Sequence, residues 1–197
     1  MKARIAVLVS GGGTNLQALL DAQTSGILKS GEIVLVVSSR PDAYALTRAK
    51  NAGVEAMTVT KADGETRLTE ALIARSIDLI VLAGYLTILS AGFVQRFENR
   101  IVNVHPSLIP AFSGKGFYGL IPHEEALKRG VKVTGATVHL VNEIPDGGRI
   151  LAQKAVDVLP GDTPETLQKR VMVEAEWVLL PRAVEALSAE RVKEKSE

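Results

Sequence analysis

The stretch RIAVLVSGGGTNLQ, residues 4–17, passes from an unbroken apolar run through three glycines into Thr-Asn-Leu-Gln. A strand with one wet face alternates apolar and polar residues; this run does not alternate, so it predicts a strand covered on both faces. The glycines supply a tight turn, and Thr14 with Gln17 has capping-box spacing, which predicts a helix starting there. Strand, turn and helix in that order form the first half of a parallel βαβ unit.

The same grammar recurs outward. Residues 32–38 (EIVLVVS) and 78–82 (DLIVL) are again continuous apolar runs, and 55–59 and 100–104 are further strand candidates, with intervening segments long enough for crossover helices. After residue 131 the pattern changes. Residues 133–141 (VTGATVHLV) and 149–158 (RILAQKAVDV) flank Pro-Asp-Gly-Gly, which reads as two antiparallel strands joined by a loop. Thr163-Pro164 places a capping hydroxyl before a proline at the first helical position, and a long helix is expected from there to about Ala189. The expected fold is α/β and three-layered. It is a Rossmann-like, mostly parallel twisted sheet of about seven strands with an antiparallel C-terminal hairpin and helices on both faces. The terminal ERVKEKSE is expected to fray.

Composition bounds the function classes. The 197 residues are 46% hydrophobic with a formal net charge of +1, enough for one well-cored domain and without the basic excess of a nucleic-acid binder. There are no cysteines, so no disulfide framework and no thiolate metal site. The start, MKARIAVLVSGGG, has a basic residue and a short apolar run that breaks at Ser10 without a cleavage pattern, and no apolar stretch approaches the ~20 residues of a membrane span. One cytoplasmic domain, without nucleic-acid or membrane partners, is the expectation.

The loop after the first strand suits a phosphate. Backbone N–H groups at a helix start, with glycine allowing close approach, form an anion site. Gly11-Gly12-Gly13-Thr14-Asn15 fits neither G-x-G-x-x-G nor the P-loop, so a tight packing turn competes with the phosphate reading. Beyond the second strand stands Ser38-Ser39-Arg40 rather than the acid that would meet a dinucleotide ribose, which leaves a nicotinamide-dependent reductase a minor reading.

The strand at 100–104 carries Asn103 and, two residues on, His105, followed by Pro106. Alternation puts both side chains on one face, and the carboxyl end of a parallel strand is where ligands bind in such sheets. An amide donor beside an imidazole can hold an oxyanion and move a proton, the requirements of acyl-type transfer; two caps on a turning strand are the bland alternative. Asp146, in the Pro-Asp-Gly-Gly turn, is the group best placed to raise the histidine pKa, although alone it reads as an ordinary hairpin turn. His139 and Thr137 alternate on the sixth strand, where a lone histidine is more often a satisfied half-buried residue, and His123 reads as a first-turn surface residue. Three scattered histidines give no metal-site spacing.

The glycine loop with Thr14-Asn15-Leu16-Gln17, LAGYLTILS (82–90), NVHPSLIP (103–110), GATVHLVNEIPDGG (135–148) and AQKAV (152–156) occur in the order seen in phosphoribosylglycinamide formyltransferases. The chain resembles that branch of the folate-dependent formyltransferase superfamily over nearly its whole length. Asn-x-His-Pro-Ser-Leu-x-Pro with a downstream Asp-Gly-Gly carries the superfamily; the glycine loop points to the branch.

The resemblance implies formyl transfer from 10-formyltetrahydrofolate, as cosubstrate and without a metal, to the glycine amine of 5′-phosphoribosylglycinamide in purine biosynthesis. It implies a single domain over 1–197. Within it, 1–100 would be the phosphate-binding half, 101–190 the catalytic and folate-binding half, and 191–197 a frayed tail. Asn103 would donate to the nascent oxyanion. His105, as a cation, would share that role and shuttle a proton, while Asp146 would hold it protonated and order a relay water. Gly12, Gly13, Thr14 and Asn15 would take the phosphate, and Glu176 the ribose hydroxyls. Leu86, Thr87, Ile88 and Leu89, with Asn103 and with Val141, Asn142, Glu143, Ile144, Pro145 and Asp146, would enclose the pterin. The assembly is expected to be a monomer or homodimer.

The chain departs from the pattern in places. Glu176-Trp177 stands where many relatives have Glu-His, and a shifted spacing makes Glu174 a competing ribose contact. Thr87 replaces a frequent arginine, SGKGFYGLIPHEE is longer than the corresponding loop in many relatives, and Lys61 and Arg67 are the basic residues available for a folate tail. Methionyl-tRNA formyltransferase and formyltetrahydrofolate deformylase share the Asn-x-His…Asp chemistry but carry extra C- and N-terminal domains that this chain is expected to lack. A non-enzymatic phosphate or nucleotide sensor on the same fold is the alternative of another class.

Overall fold

The computed structural model describes residues 1–196. Seven strands, β1 (Ala3–Val9), β2 (Gly31–Ser38), β3 (Glu55–Thr58), β4 (Leu79–Leu82), β5 (Ile101–His105), β6 (Val133–Leu140) and β7 (Ile150–Asp157), form one sheet in the order β3-β2-β1-β4-β5-β6-β7. Strands β1 to β5 pair in parallel, and β6 and β7 run antiparallel. Each strand begins and ends within two residues of its expected place.

The unbroken apolar run of β1 is explained by what covers it. Ile5, Val7 and Val9 pack with Leu16 and Leu19 of α1 (Thr14–Ser25) and with Leu180, Val184 and Leu187 of α7 (Trp177–Glu194). Ala6 and Leu8 point the other way, toward Leu68 and Leu72 of α3 (Gly64–Ala74) and Phe93 and Phe97 in and beside α4 (Ala91–Arg96). Both faces are dry, so every position gains transfer free energy, about 1.5–3 kcal/mol for each large aliphatic side chain. The short α2 (Tyr44–Asn51) joins the first face through Ala45 and Ala49. A third cluster holds α5 (Ile121–Arg129) and α6 (Pro164–Val171) together around Ala126, Ala136 and Leu167.

Two local expectations need correction. Thr14 does not cap α1: Gly13 occupies the cap position in the left-handed region, at φ 72°, and no side chain caps the helix. A Cβ on Gly13 would stand 2.7 Å from the Ala45 Cβ, so the loop needs glycine there for space as well as conformation. By contrast Thr163 does cap α6, in a capping box closed by Thr166.

The expected single helix from Pro164 is interrupted by a π-helical turn, Met172–Glu176, before α7. Such a turn fits one extra residue into a helix and swings the following side chains around the axis. The tail expected to fray is helical as far as Glu194, and residue 197 lies outside the described residues. Arg191 Nη2 donates to the Asn99 carbonyl at 2.5 Å, and Lys195 pairs at 2.7 Å with Asp78, a half-exposed ammonium meeting a mostly buried carboxylate. Among the described residues no helix is long and apolar enough to cross a membrane.

Candidate active site

In the sheet order, neighbours β1 and β4 leave in opposite directions, and the crevice beyond their carboxyl ends collects the glycine loop, the 83–90 segment and the end of β5. Ser10, at the foot of the glycine loop, is 3% exposed; its Oγ accepts from the Leu86 N–H at 2.9 Å and lies 2.7 Å from Ser39 Oγ. One buried hydroxyl thus joins the glycine loop to the 86–89 segment.

Asn103 and His105 share a face of β5, and the antiparallel β6 sets His139 opposite Asn103 and Thr137 opposite His105. Thr137 Oγ1 donates to the Ser107 carbonyl at 2.7 Å and accepts from the Ile109 N–H at 3.0 Å, which pins the turn after the histidine. The His105 ring is 4% exposed. Its Nε2 lies 2.9 Å from the Phe112 carbonyl, which can only accept, so Nε2 carries a proton. The other nitrogen, Nδ1, faces Asp146 Oδ2 at 3.4 Å.

Asp146 reaches this point through an unusual backbone. It has φ 56°, a left-handed conformation that aspartate tolerates better than most residues. Behind it, a Cβ on Gly148 would fall 1.7 Å from the Leu140 carbonyl oxygen, so the chain can return onto β6 only with glycine there. The carboxylate accepts from the Gly114 N–H at 2.8 Å, and its Oδ1 lies 3.4 Å from His139 Nε2. Burial opposes its charge, but His139 and His105 when their rings carry the proton, together with the Gly114 N–H, hold Asp146 below the usual carboxylate range.

For His105 the balance runs the other way. Burial lowers its pKa, the Phe112 carbonyl and Asp146 pull it back up, and His139 lowers it further; the net direction is down. The net direction favours the neutral imidazole over the expected cation, and Nδ1 faces Asp146 where a proton could be taken. His123 also departs from expectation. Rather than lying on the surface it is fully buried in α5, neither ring nitrogen has a partner among the described residues, and burial with nearby His105 pushes its pKa down to about 4.

The residues expected around the pterin line one cavity of about 150 Å³, formed by 86–89, 141–146 and Asn103, with Leu82, Tyr85, Val94 and His139 completing the wall. Leu86, Ile88 and Ile144 are more than half exposed at its rim. Lys61 and Arg67 do not line it, and Arg67 is engaged with Asp63 at 2.5 Å.

In the glycine loop, Arg48 from α2 donates to the Gly12 carbonyl at 2.8 Å and to Gln17 Oε1 at 2.9 Å. Asn15 Nδ2 donates to Glu176 Oε2 at 2.6 Å, while Asn15 Oδ1 is buried without a partner among the described residues. Burial raises the Glu176 pKa, partly offset by that hydrogen bond. The π-helical turn delivers Glu176 here. Glu174 lies exposed, so of the two acids the structure brings only Glu176 to the loop. Sequence reasoning did not assign roles to Ser10, Arg48, the Phe112 carbonyl or the Gly114 N–H, and left His139 uncommitted. Backbone groups and cross-strand partners carry no motif of their own. Among the described residues no cluster of His, Asp or Glu is arranged to hold a metal ion.

Comparison with known proteins agrees with this geometry. A family model described as formyl transferase matches residues 3–184. The chloroplastic phosphoribosylglycinamide formyltransferase of Arabidopsis thaliana is 40% identical over 98% of this chain and 68% of its own. The Haemophilus influenzae phosphoribosylglycinamide formyltransferase is 38% identical over 96% of this chain and 89% of its own. The crystal structure of glycinamide ribonucleotide transformylase 1 from Symbiobacterium toebii superposes with a TM-score of 0.89 at 42% identity, covering 96% of this chain and 89% of that one. Other relatives are longer: the chain spans 62% of a second plant protein and 19% of a trifunctional purine biosynthetic protein. With the family model covering nearly the whole fold and its site, this protein belongs to the formyl transferase family.

Proposed function

We propose that this protein transfers the formyl group of 10-formyltetrahydrofolate to the glycine amine of 5′-phosphoribosylglycinamide, a step of purine biosynthesis. The observation that carries this reading is that Asn103 and Asp146 line one cavity, bridged by His139 and with His105 against Asp146, while Leu86 of the same lining is tied to Ser10 at the foot of the glycine loop. The relatives named for that reaction support it, and the family accounts for a folate-type formyl donor.

The chemistry follows from the groups present. The amine lone pair attacks the formyl carbon and the C=O pair moves onto oxygen, where an Asn103 N–H stabilises the charge. The attacking nitrogen becomes positive and gives up a proton; a neutral His105 takes it at Nδ1, and the Asp146 carboxylate stabilises the imidazolium formed. The carbonyl reforms as the bond from carbon to the folate nitrogen breaks, and that nitrogen receives the proton. One proton leaves the amine and one reaches the folate, so the site returns to its starting state. A neutral resting His105 suits this shuttle better than a permanent cation would. Gly12, Gly13, Thr14 and Asn15 hold the phosphate in this reading. Glu176 accepts from the ribose hydroxyls, and the 86–89 and 141–146 walls hold the pterin.

The test is to supply 10-formyltetrahydrofolate with the ribotide, with methionyl-tRNA or with water alone, and to follow folate absorbance. Turnover with the ribotide only is expected. Transfer to methionyl-tRNA, hydrolysis at the same rate, or binding without turnover would each overturn the reading.

A further inference from the structure

We propose that His139 is a positioning residue for the transfer: it presents a bare Nε2 to the Asn103 amide and thereby fixes which end of that amide the cavity meets. The proposal rests on the formyl-transfer reading for its kinetic consequence, but the contact itself stands on geometry alone.

His139 is 2% exposed and sits directly opposite Asn103 in the β5–β6 register. Its Nδ1 lies 2.9 Å from the Leu140 carbonyl oxygen. A carbonyl only accepts, so Nδ1 carries a proton, and a ring with one proton leaves Nε2 as an acceptor. Asn103 Nδ2 stands 3.2 Å from that Nε2. A side-chain amide has two orientations of nearly equal shape, and they differ here in sign. With Nδ2 toward the ring it donates. With Oδ1 toward the ring two lone pairs face each other in a partly buried contact. His139 thus selects the first orientation. The second N–H of Asn103 remains for the cavity that both residues line.

A second arrangement of the same three groups defines the alternative state. Were the ring doubly protonated, Nε2–H would turn to Asp146 Oδ1, 3.4 Å away, and release the amide. Asp146 is drawn elsewhere by the Gly114 N–H and by His105, both on its Oδ2. Both neighbours stand within reach of Nε2, and the contact to Asn103 is the shorter of the two. An oxyanion donor is effective only if its N–H is aimed before charge appears, because reorienting during the reaction costs part of the stabilisation.

Three variants test this. His139→Phe keeps a planar ring and removes the acceptor; His139→Leu does the same with a smaller aliphatic side chain where phenylalanine prevents folding; His139→Gln restores an acceptor through Oε1. Loss of the acceptor is expected to lower kcat about 10-fold or more, with KM for both substrates within about 3-fold, and Gln to recover part of the rate. In an Asn103→Ala background the same substitution is expected to add less than about 2-fold, since it acts through a group already gone. Unchanged kcat without the acceptor, or two losses that simply multiply, would overturn the proposal.

A second measurement does not depend on activity. In ¹⁵N-labelled protein, the Asn103 side-chain amide, assigned by its absence in Asn103→Ala, should show one downfield proton that moves upfield when the acceptor is removed. An amide pair insensitive to residue 139 would refute the orienting contact. If the wild type formylates no ribotide, the functional reading and the kinetic consequence fall together, while the amide spectrum still decides the contact.

Discussion

Asp146 Oδ2 lies 3.4 Å from His105 Nδ1, and the carboxylate gets there from a left-handed turn closed by two glycines. The ring nitrogen facing that carboxylate is the one without an obligatory proton, because Nε2 is committed to Phe112. A proton arriving at Nδ1 therefore creates an ion pair where there was none. The carboxylate favours the charged ring, and burial favours the neutral one.

Replacing Asp146 by asparagine removes one of the two groups that favour the imidazolium, leaving the Phe112 carbonyl. His105 should then titrate lower still, followed by imidazole proton shifts, and kcat should fall by about 100-fold, the lower end of what a positioned proton-transfer group contributes. A His105 titration unmoved by Asp146→Asn would break the coupling between the two.

Asn103→Ala removes the proposed oxyanion donor from β5 without touching the charges. The expected loss is about 100-fold or more in kcat, with the melting temperature close to wild type. Near-normal turnover would take Asn103 out of the mechanism.

Glu176 acts on binding in this account. Glu176→Gln retains the partner of Asn15 while weakening acceptance from hydroxyls, so KM for the ribotide should rise about 10-fold with kcat changed far less. A fall in kcat at constant KM would place Glu176 elsewhere in the reaction.

His123 makes stability depend on pH. Its folded pKa is near 4 against 6.5 for an unperturbed imidazole, so between those values the unfolded chain binds the extra proton. Stability is fully present above about pH 6.5 and is lost as pH falls toward 4, by an amount on the order of 3 kcal/mol. Urea midpoints across pH 4–7 should show that slope, and His123→Phe should flatten it. An equal slope in both proteins would assign it to other groups.

What the sequence made legible follows from how local the signals are. Continuous apolar runs mark doubly covered strands wherever they occur, so β1, β2 and β4 could be read directly, and the i, i+2 spacing of Asn103 and His105 fixed their common face. The cap of α1 was misread because Thr14 and Gln17 have the right spacing while Gly13, packed on Ala45, takes the cap position. The π-helical turn was visible only as an odd spacing before Glu176, since no residue type demands it. Burial of His123 and the partnership of His139 with Asn103 depend on tertiary packing and on strand register, which no short string encodes.

The central claim is that the neutral His105 carries the proton between the two nitrogens while Asn103 and Asp146 hold the charges on either side. Its most direct test is kcat for formylation of 5′-phosphoribosylglycinamide by His105→Ala, measured beside the wild type with the fold verified by circular dichroism. The account predicts a loss of about 100-fold or more with the fold intact; a folded His105→Ala that turns over within a few-fold of the wild type would contradict it.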